Sequence, residues 1–201
     1  MRLSFLLFIL MLSNSLSAQD ELLLMNGKKF KGLAIDTTST KLAIQLDHKK
    51  DKKKIKSFYR DEVFSIRFKD SGEQVYFQYD PLYENSYTID QMRLVVAGKS
   101  DALYRYKTKW IIPTGLVVGA ASAYFLEGSV FTLIVPIIYT GLVQIPVVKI
   151  QKESITSNAF IGDEFYLEGY NRSARLKRTK QALLSSLVGV IAGFAIYEIS
   201  Q

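Results

Sequence analysis

Two apolar stretches, residues 110–126 and 130–148, lie back to back with only Glu127, Gly128 and Ser129 between them, and a third occupies 182–199. Each is about long enough to cross a hydrocarbon core of roughly 30 Å as a helix. Runs of this length must be hidden in lipid or in the chain's own core. The polar first half contrasts with this apolar second half, so the 201 residues read as a small polar domain joined to a membrane module.

Residues 1–18 carry Arg2, an apolar run over 3–12, and then Ser13-Asn14-Ser15-Leu16-Ser17-Ala18. A basic start, a short apolar region and small residues at a cleavage point describe a signal peptide, here cut after Ala18. The sequence contains no cysteine. That excludes disulfides, thiolate metal sites, cysteine nucleophiles and a lipoprotein anchor. The net charge of +7 suits an anionic surface. For an exported chain that surface is lipid headgroup or acidic glycan, and nucleic acid is not an expected partner.

Between residues 20 and 80 short alternating runs are broken by turn residues, the pattern of β-structure. Asn26-Gly27 marks a tight hairpin turn between 22–25 and 28–35. Leu42, Ile44 and Leu46 alternate with Ala43, Gln45 and Asp47, as a half-buried strand requires. Runs at 55–59 and 63–68 follow, and Lys69-Asp70-Ser71-Gly72 turns into 73–79. Five or six strands in so few residues predict a small SH3-like or Sm-like β-barrel, closed to limit exposed edges. The fold class is therefore α+β, with this barrel followed by a helical neck and three apolar, transmembrane helices.

The neck spans 81–109. Thr88 followed by Gln91 fits a capping box, and Ile89, Met92, Val95 and Val96 recur at helical spacing. Gly98 is expected to end this helix and Ser100 or Asp101 to cap a second. Lys107, Lys109 and Trp110 form an interfacial cluster of the kind that anchors a helix end at headgroup level.

Gly115, Gly119 and Ala123 recur every fourth residue in the first apolar segment, and Ser185, Gly189 and Gly193 do so in the last. Such ridges let another backbone approach closely, which is how helices associate in lipid. They are the expected helix-packing positions and an oligomerisation surface. Pro136 and Pro146 predict a kinked middle segment. In the 149–181 segment a helix is expected over 163–180, capped by Asp163.

Two basic clusters suit an anionic surface: Lys49, Lys50, Lys52, Lys53 and Lys54 in a polar loop, and Arg172, Arg175, Lys177, Arg178 and Lys180 before the last apolar segment. Their placement conflicts with the leader. A cleaved signal peptide puts 20–80 outside the cytoplasm, and three crossings put the basic 149–181 segment on the same side. The bias of Lys and Arg towards cytoplasmic loops argues the opposite. The inner membrane is favoured over the outer, with the β-domain periplasmic.

No motif carries catalysis. Ala97-Gly98-Lys99-Ser100 resembles the tail of a phosphate-binding loop, but Arg93 stands where that loop needs its first glycine, so nucleotide binding is not expected. His48, the only histidine, begins the lysine run. Asp61-Glu62 and Asp163-Glu164 are adjacent pairs that do not face each other on a helix. No catalytic residue, cofactor or metal is assigned.

Two stretches carry a resemblance. Gly98-Lys99-Ser100-Asp101-Ala102-Leu103-Tyr104 resembles a Gly-x-x-Asp-Ala-x-x-Tyr signature, and Tyr166-Leu167-Glu168-Gly169-Tyr170 with Ala174 resembles Tyr-x-x-Gly-Tyr-x-x-x-Ala. Together they resemble an uncharacterised family of bacterial cell-envelope proteins. The resemblance implies a leader, a small β-domain, a glycine-rich apolar hairpin and a basic helix leading to a final apolar segment. The hairpin here is longer and less proline-rich than in that family. No activity comes with the resemblance. The expectation is a non-enzymatic integral membrane protein whose partners are membrane lipid and an envelope protein or a second copy of itself. A small transporter or pore subunit is the alternative, with only Glu127 and Glu198 as ionisable candidates in or beside the apolar segments.

Overall fold

The computed structural model describes residues 19–46, 54–81, 86–127 and 129–200. The signal peptide expected at 1–18, and Lys49, Lys50, Lys52 and Lys53, lie outside those residues. The fold is α+β. The chain divides into two units, Met1–Val96 and Ala97–Gln201.

Among the described residues the first unit holds six strands: β1 (Asp20–Leu24), β2 (Lys29–Asp36), β3 (Lys41–Leu46), β4 (Lys54–Tyr59), β5 (Val63–Phe68) and β6 (Gly72–Val75). They form one antiparallel sheet in the order β4-β3-β2-β1-β5-β6. The Asn26-Gly27 turn joins β1 to β2 with Gly27 at φ 82°, and Gly72 at φ 88° turns β5 into β6. Alternation sends Leu22, Leu24, Leu42 and Ile44 to one side. A register shift where β1 meets β5 sets Val63 opposite Leu24 and Ile66 opposite Leu22, so both join that cluster, which packs with Tyr76 and is flanked by Phe30 and Phe58. Gly32 is required where β2 meets β3, because a Cβ there would lie 2.1 Å from the Gln45 carbonyl oxygen.

The expected barrel is not closed. Its edges are β4 and β6, which do not pair with each other. β6 ends at Val75 rather than running on to 79, because the Tyr76 and Phe77 amides both donate to the single Phe64 carbonyl, at 2.8 and 3.3 Å. Two donors converging on one acceptor end a ladder that needs one acceptor per donor.

Helix α1 (Ile89–Arg105) runs across the boundary between the units. Its start is the predicted capping box: the Gln91 amide donates to Thr88 Oγ1 at 3.3 Å, and the Thr88 amide donates to Gln91 Oε1 at 2.9 Å. Gly98 does not end the helix, and neither Ser100 nor Asp101 caps a second one. Both are buried in its interior.

The second unit adds α2 (Ile111–Phe125), α3 (Ile134–Gln144) and α4 (Glu164–Ser200). Asp163 caps α4 by accepting the Tyr166 amide at 3.0 Å. The basic helix and the third apolar segment, expected as separate elements, form this one 37-residue rod. No glycine or proline interrupts the basic turns at 175–181, so nothing breaks the helix before the apolar residues begin. Among the described residues α4 is the one helix long and apolar enough to cross a membrane; α2 and the stretch Phe131–Gln144 are shorter. Pro136 lies in the first turn of α3, where a missing amide hydrogen costs nothing, and Pro146 follows the helix end.

Candidate functional site

Every buried residue of α2 is small: Gly115, Gly119 and Ala123. On α4 the facing positions are Ser185, Ser186, Gly189 and Gly193. A Cβ on Gly119 would lie 2.0 Å from the Ser186 carbonyl oxygen, one on Gly189 would lie 2.3 Å from that of Leu116, and one on Gly193 would lie 2.4 Å from that of Ala120. Residue numbers rise together along both helices, so α2 and α4 run parallel. The two ridges cover one another within a single chain.

Large apolar residues point the other way. Val117 on α2, Ile137 on α3 and Ile191 on α4 are each about two-thirds exposed, at 67%, 67% and 69%. Leu133, Ile138, Leu142, Leu184, Val188 and Ile196 are also exposed. A bundle that folds in water buries its leucines and isoleucines and leaves no continuous apolar surface of this extent. In lipid there is no hydrophobic drive between helices, so small residues line the contact and bulky ones face outward.

The bundle's two ends differ chemically. At one end Gln144 bonds the Thr179 hydroxyl, Thr108 bonds Gln181, and the Tyr139 hydroxyl meets Thr114 at 2.6 Å and the Ile111 carbonyl at 2.7 Å. Trp110 is 79% exposed there. Every Lys and Arg of the second unit precedes residue 110 or lies between 149 and 180, which is this end. At the other end stand Glu127 and Glu198, with Tyr124 and Tyr197 edge-on at 6.3 Å.

Of the predicted basic residues, Lys54 opens the edge strand β4 in the first unit, exposed. Arg172, Arg175 and Lys180 are exposed on α4. The other two are partly structural. Lys177 donates to the Leu103 carbonyl at 2.8 Å, and Arg178 donates to that of Pro146 at 2.8 Å. Burial holds the Lys177 ammonium below the ordinary lysine range.

Sequence reasoning missed a buried polar node. The Tyr166 hydroxyl donates to Asp101 Oδ2 at 2.8 Å, and Thr156 gives the same carboxylate its amide at 2.8 Å and its hydroxyl at 2.5 Å. Beside it the Tyr170 hydroxyl pairs with Ser154 Oγ at 2.6 Å, and the Tyr106 ring stands edge-on to Tyr170 at 6.1 Å. Gly98 permits the approach: a Cβ there would sit 2.1 Å from the Tyr166 carbonyl oxygen. The two stretches that carried the resemblance thus pack against each other, with Ala102, Tyr166, Tyr170 and Ala174 fully buried. Arg105, between Tyr104 and Tyr106, stands where the first signature places its tyrosine. Gly98-Lys99-Ser100 is mid-helix, its amides committed to the helix rather than to a phosphate loop.

Among the described residues no group of three acidic or histidine side chains could hold a metal ion. Comparison with family models, curated proteins and solved structures returns no match.

Proposed function

We propose that this chain is a non-enzymatic integral protein of the bacterial cell envelope. Its three apolar helices anchor it in the membrane, and its β-sheet unit serves as an interaction module on the periplasmic side. The carrying observation is the inverted packing of the bundle, glycine and serine within and isoleucine, leucine and valine without. The basic end with its exposed Trp110 would rest at the headgroups, and α4 is long enough to traverse the core. At about 1.5 Å per residue the 15 residues of α2 reach about 22 Å, so the hairpin would thin the bilayer around it. The leader expected at 1–18 is what motivates the periplasmic side. Because the ridges are occupied within the chain, association with a second copy or another envelope protein would use a different face.

The cysteine-free sequence allows a direct test. Single cysteines at Val117, Ile138 and Ile191 should resist a membrane-impermeant maleimide in intact membranes and react once detergent is added. One at Lys152 should react in whichever preparation exposes the basic end. A monomer stable in buffer without detergent, with all four positions labelled, sinks the proposal.

A further inference from the structure

At the basic end a cleft of about 620 Å³ opens between the α1–α2 connection and α4. Arg105, Lys107, Lys109 and Lys177 line it against the single carboxylate of Glu153. Directly beside it a groove of about 370 Å³ runs between α2 and α4, lined by Leu116, Leu184, Ser185 and Val188. Ile112 and Gln181 belong to both, so the charged cleft continues into the apolar groove. From Gln181 to Val188 the groove descends about 10 Å along α4, towards the level of the outward-facing leucines and isoleucines.

We propose that this composite pocket is a binding site for one anionic glycerophospholipid, its phosphate in the cleft and an acyl chain in the groove. The inference rests on the membrane-embedded reading and names the lipid class and the residues that would select it. Four cations against one carboxylate leave an excess that a zwitterionic headgroup would not satisfy as well. Lys177 spends one of its three donors on the Leu103 carbonyl, which fixes its ammonium at the cleft wall with two donors left. Arg105 reaches the Ile155 carbonyl with only one nitrogen, at 3.4 Å, so most of its donor fork remains for phosphate oxygens. The groove's shape has a definite origin as well. Gly115, Gly119 and Gly189 bring α2 and α4 so close that larger neighbours are left standing as walls on either side of a shallow channel. Basic pockets between membrane helices are a recognised way of holding anionic headgroups.

The test is native mass spectrometry of the detergent-solubilised full chain, titrated with phosphatidylglycerol or with phosphatidylcholine of the same acyl chains. Phosphatidylglycerol should be retained at a concentration at least about ten-fold lower. The double variant Lys107→Gln, Lys109→Gln should weaken that retention roughly thirty-fold, each cation near an anionic headgroup being worth about a factor of five. Lys149→Gln with Lys152→Gln changes the net charge equally outside the cleft and should leave retention unchanged. Val188→Trp fills the groove from an exposed position and should weaken phosphatidylglycerol with little change in melting temperature. Equal retention of the two lipids overturns the proposal. So do equal losses from the two glutamine pairs, which would show diffuse surface charge only. Glycerol 3-phosphate competing at the lipid's own concentration would mark a free-phosphate site and overturn it too. Loss of the site leaves the anchor reading intact, whereas a detergent-free soluble monomer removes both.

Discussion

Tyr166 and Asp101, 65 positions apart in sequence, meet in a buried hydrogen bond of 2.8 Å that ties α1 to the beginning of α4. Asp101 also takes two bonds from Thr156, so one carboxylate joins three segments of the second unit. Asp101→Ala leaves the Tyr166 hydroxyl and the Thr156 amide without partners and should cost about 3 kcal/mol. Tyr166→Phe removes one of three donors to the same carboxylate and should cost about 1–2 kcal/mol. Thermal unfolding of the purified full chain in detergent checks both. Equal, negligible effects would mean the node does not hold the helices together.

The same contact predicts how stability depends on alkali. Burial, and then the hydrogen bond to Asp101, push the Tyr166 hydroxyl above the ordinary tyrosine range. A folded-state value above the unfolded one gives stability that is complete below the unfolded value, near pH 10, and is lost as pH rises beyond it. Burial also raises Tyr106, with the same sign. The part-buried Lys99 and Lys177 are shifted downward by desolvation and act in the opposite sense over the same window. The decisive measurement is therefore the difference between wild type and Tyr166→Phe. Melting temperature against pH from 8 to 11.5 should fall more steeply above pH 10 for the wild type, and parallel curves would contradict the assignment.

In the first unit the exposed turn after β2 gives a prediction of opposite sign. Ser39 Oγ donates to Asp36 Oδ2 at 2.5 Å, and the Thr38 and Ser39 amides donate to Oδ1 at 3.0 and 3.3 Å. These bonds, with the Ser39 side chain the largest contributor, lower the Asp36 carboxyl to about 2. Its contribution to the turn is complete above the ordinary carboxylate range and disappears as pH falls towards 2. Carboxyl chemical shifts should show Asp36 titrating lowest when wild type and Ser39→Ala are compared, and the variant should move it upward.

The strands were legible because their signals are local. Alternation at Leu42, Ile44 and Leu46 and turns at Gly27 and Gly72 belong to neighbouring residues, and each falls where the sequence puts it. The Thr88–Gln91 box is likewise a four-residue pattern. That the sheet stays open was not legible, because it turns on whether the edge strands β4 and β6 pair, a non-local event, and the end of β6 at Val75 turns on the bifurcated bonds at Phe64. Gly98 misled for a related reason. Glycine serves both as a helix terminator and as a point of close helix approach, and only the position of Tyr166 decides between them. Asp101 reads as a cap by type, and the Thr156 and Tyr166 donors that keep it in a helix interior lie 55 and 65 residues away. The basic cleft was legible only in fragments: Lys107, Lys109 and Lys177 carry the charge in sequence, but that three separated stretches come together to line one cavity is a non-local fact.

The α2–α4 seam allows the sharpest test of the bundle. Gly119→Ala places a methyl group 2.0 Å from the Ser186 carbonyl oxygen, and Gly189→Ala places one 2.3 Å from that of Leu116. Backbone atoms cannot rotate out of the way, so the helices must separate, at a cost of about 2 kcal/mol or more for either variant. The two contacts lie on one seam, so once either methyl has pried the helices apart the second should cost much less, and the double variant should fall short of the sum. Gly141 on α3 supplies the internal control, because a Cβ there meets nothing within 4 Å. Gly141→Ala should be neutral or stabilise by up to about 1 kcal/mol through the loss of backbone freedom in the unfolded chain. Thermal unfolding in one detergent ranks the four variants. If Gly119→Ala and Gly141→Ala melt alike, α2 and α4 do not touch through their glycines, and the inverted packing loses its basis.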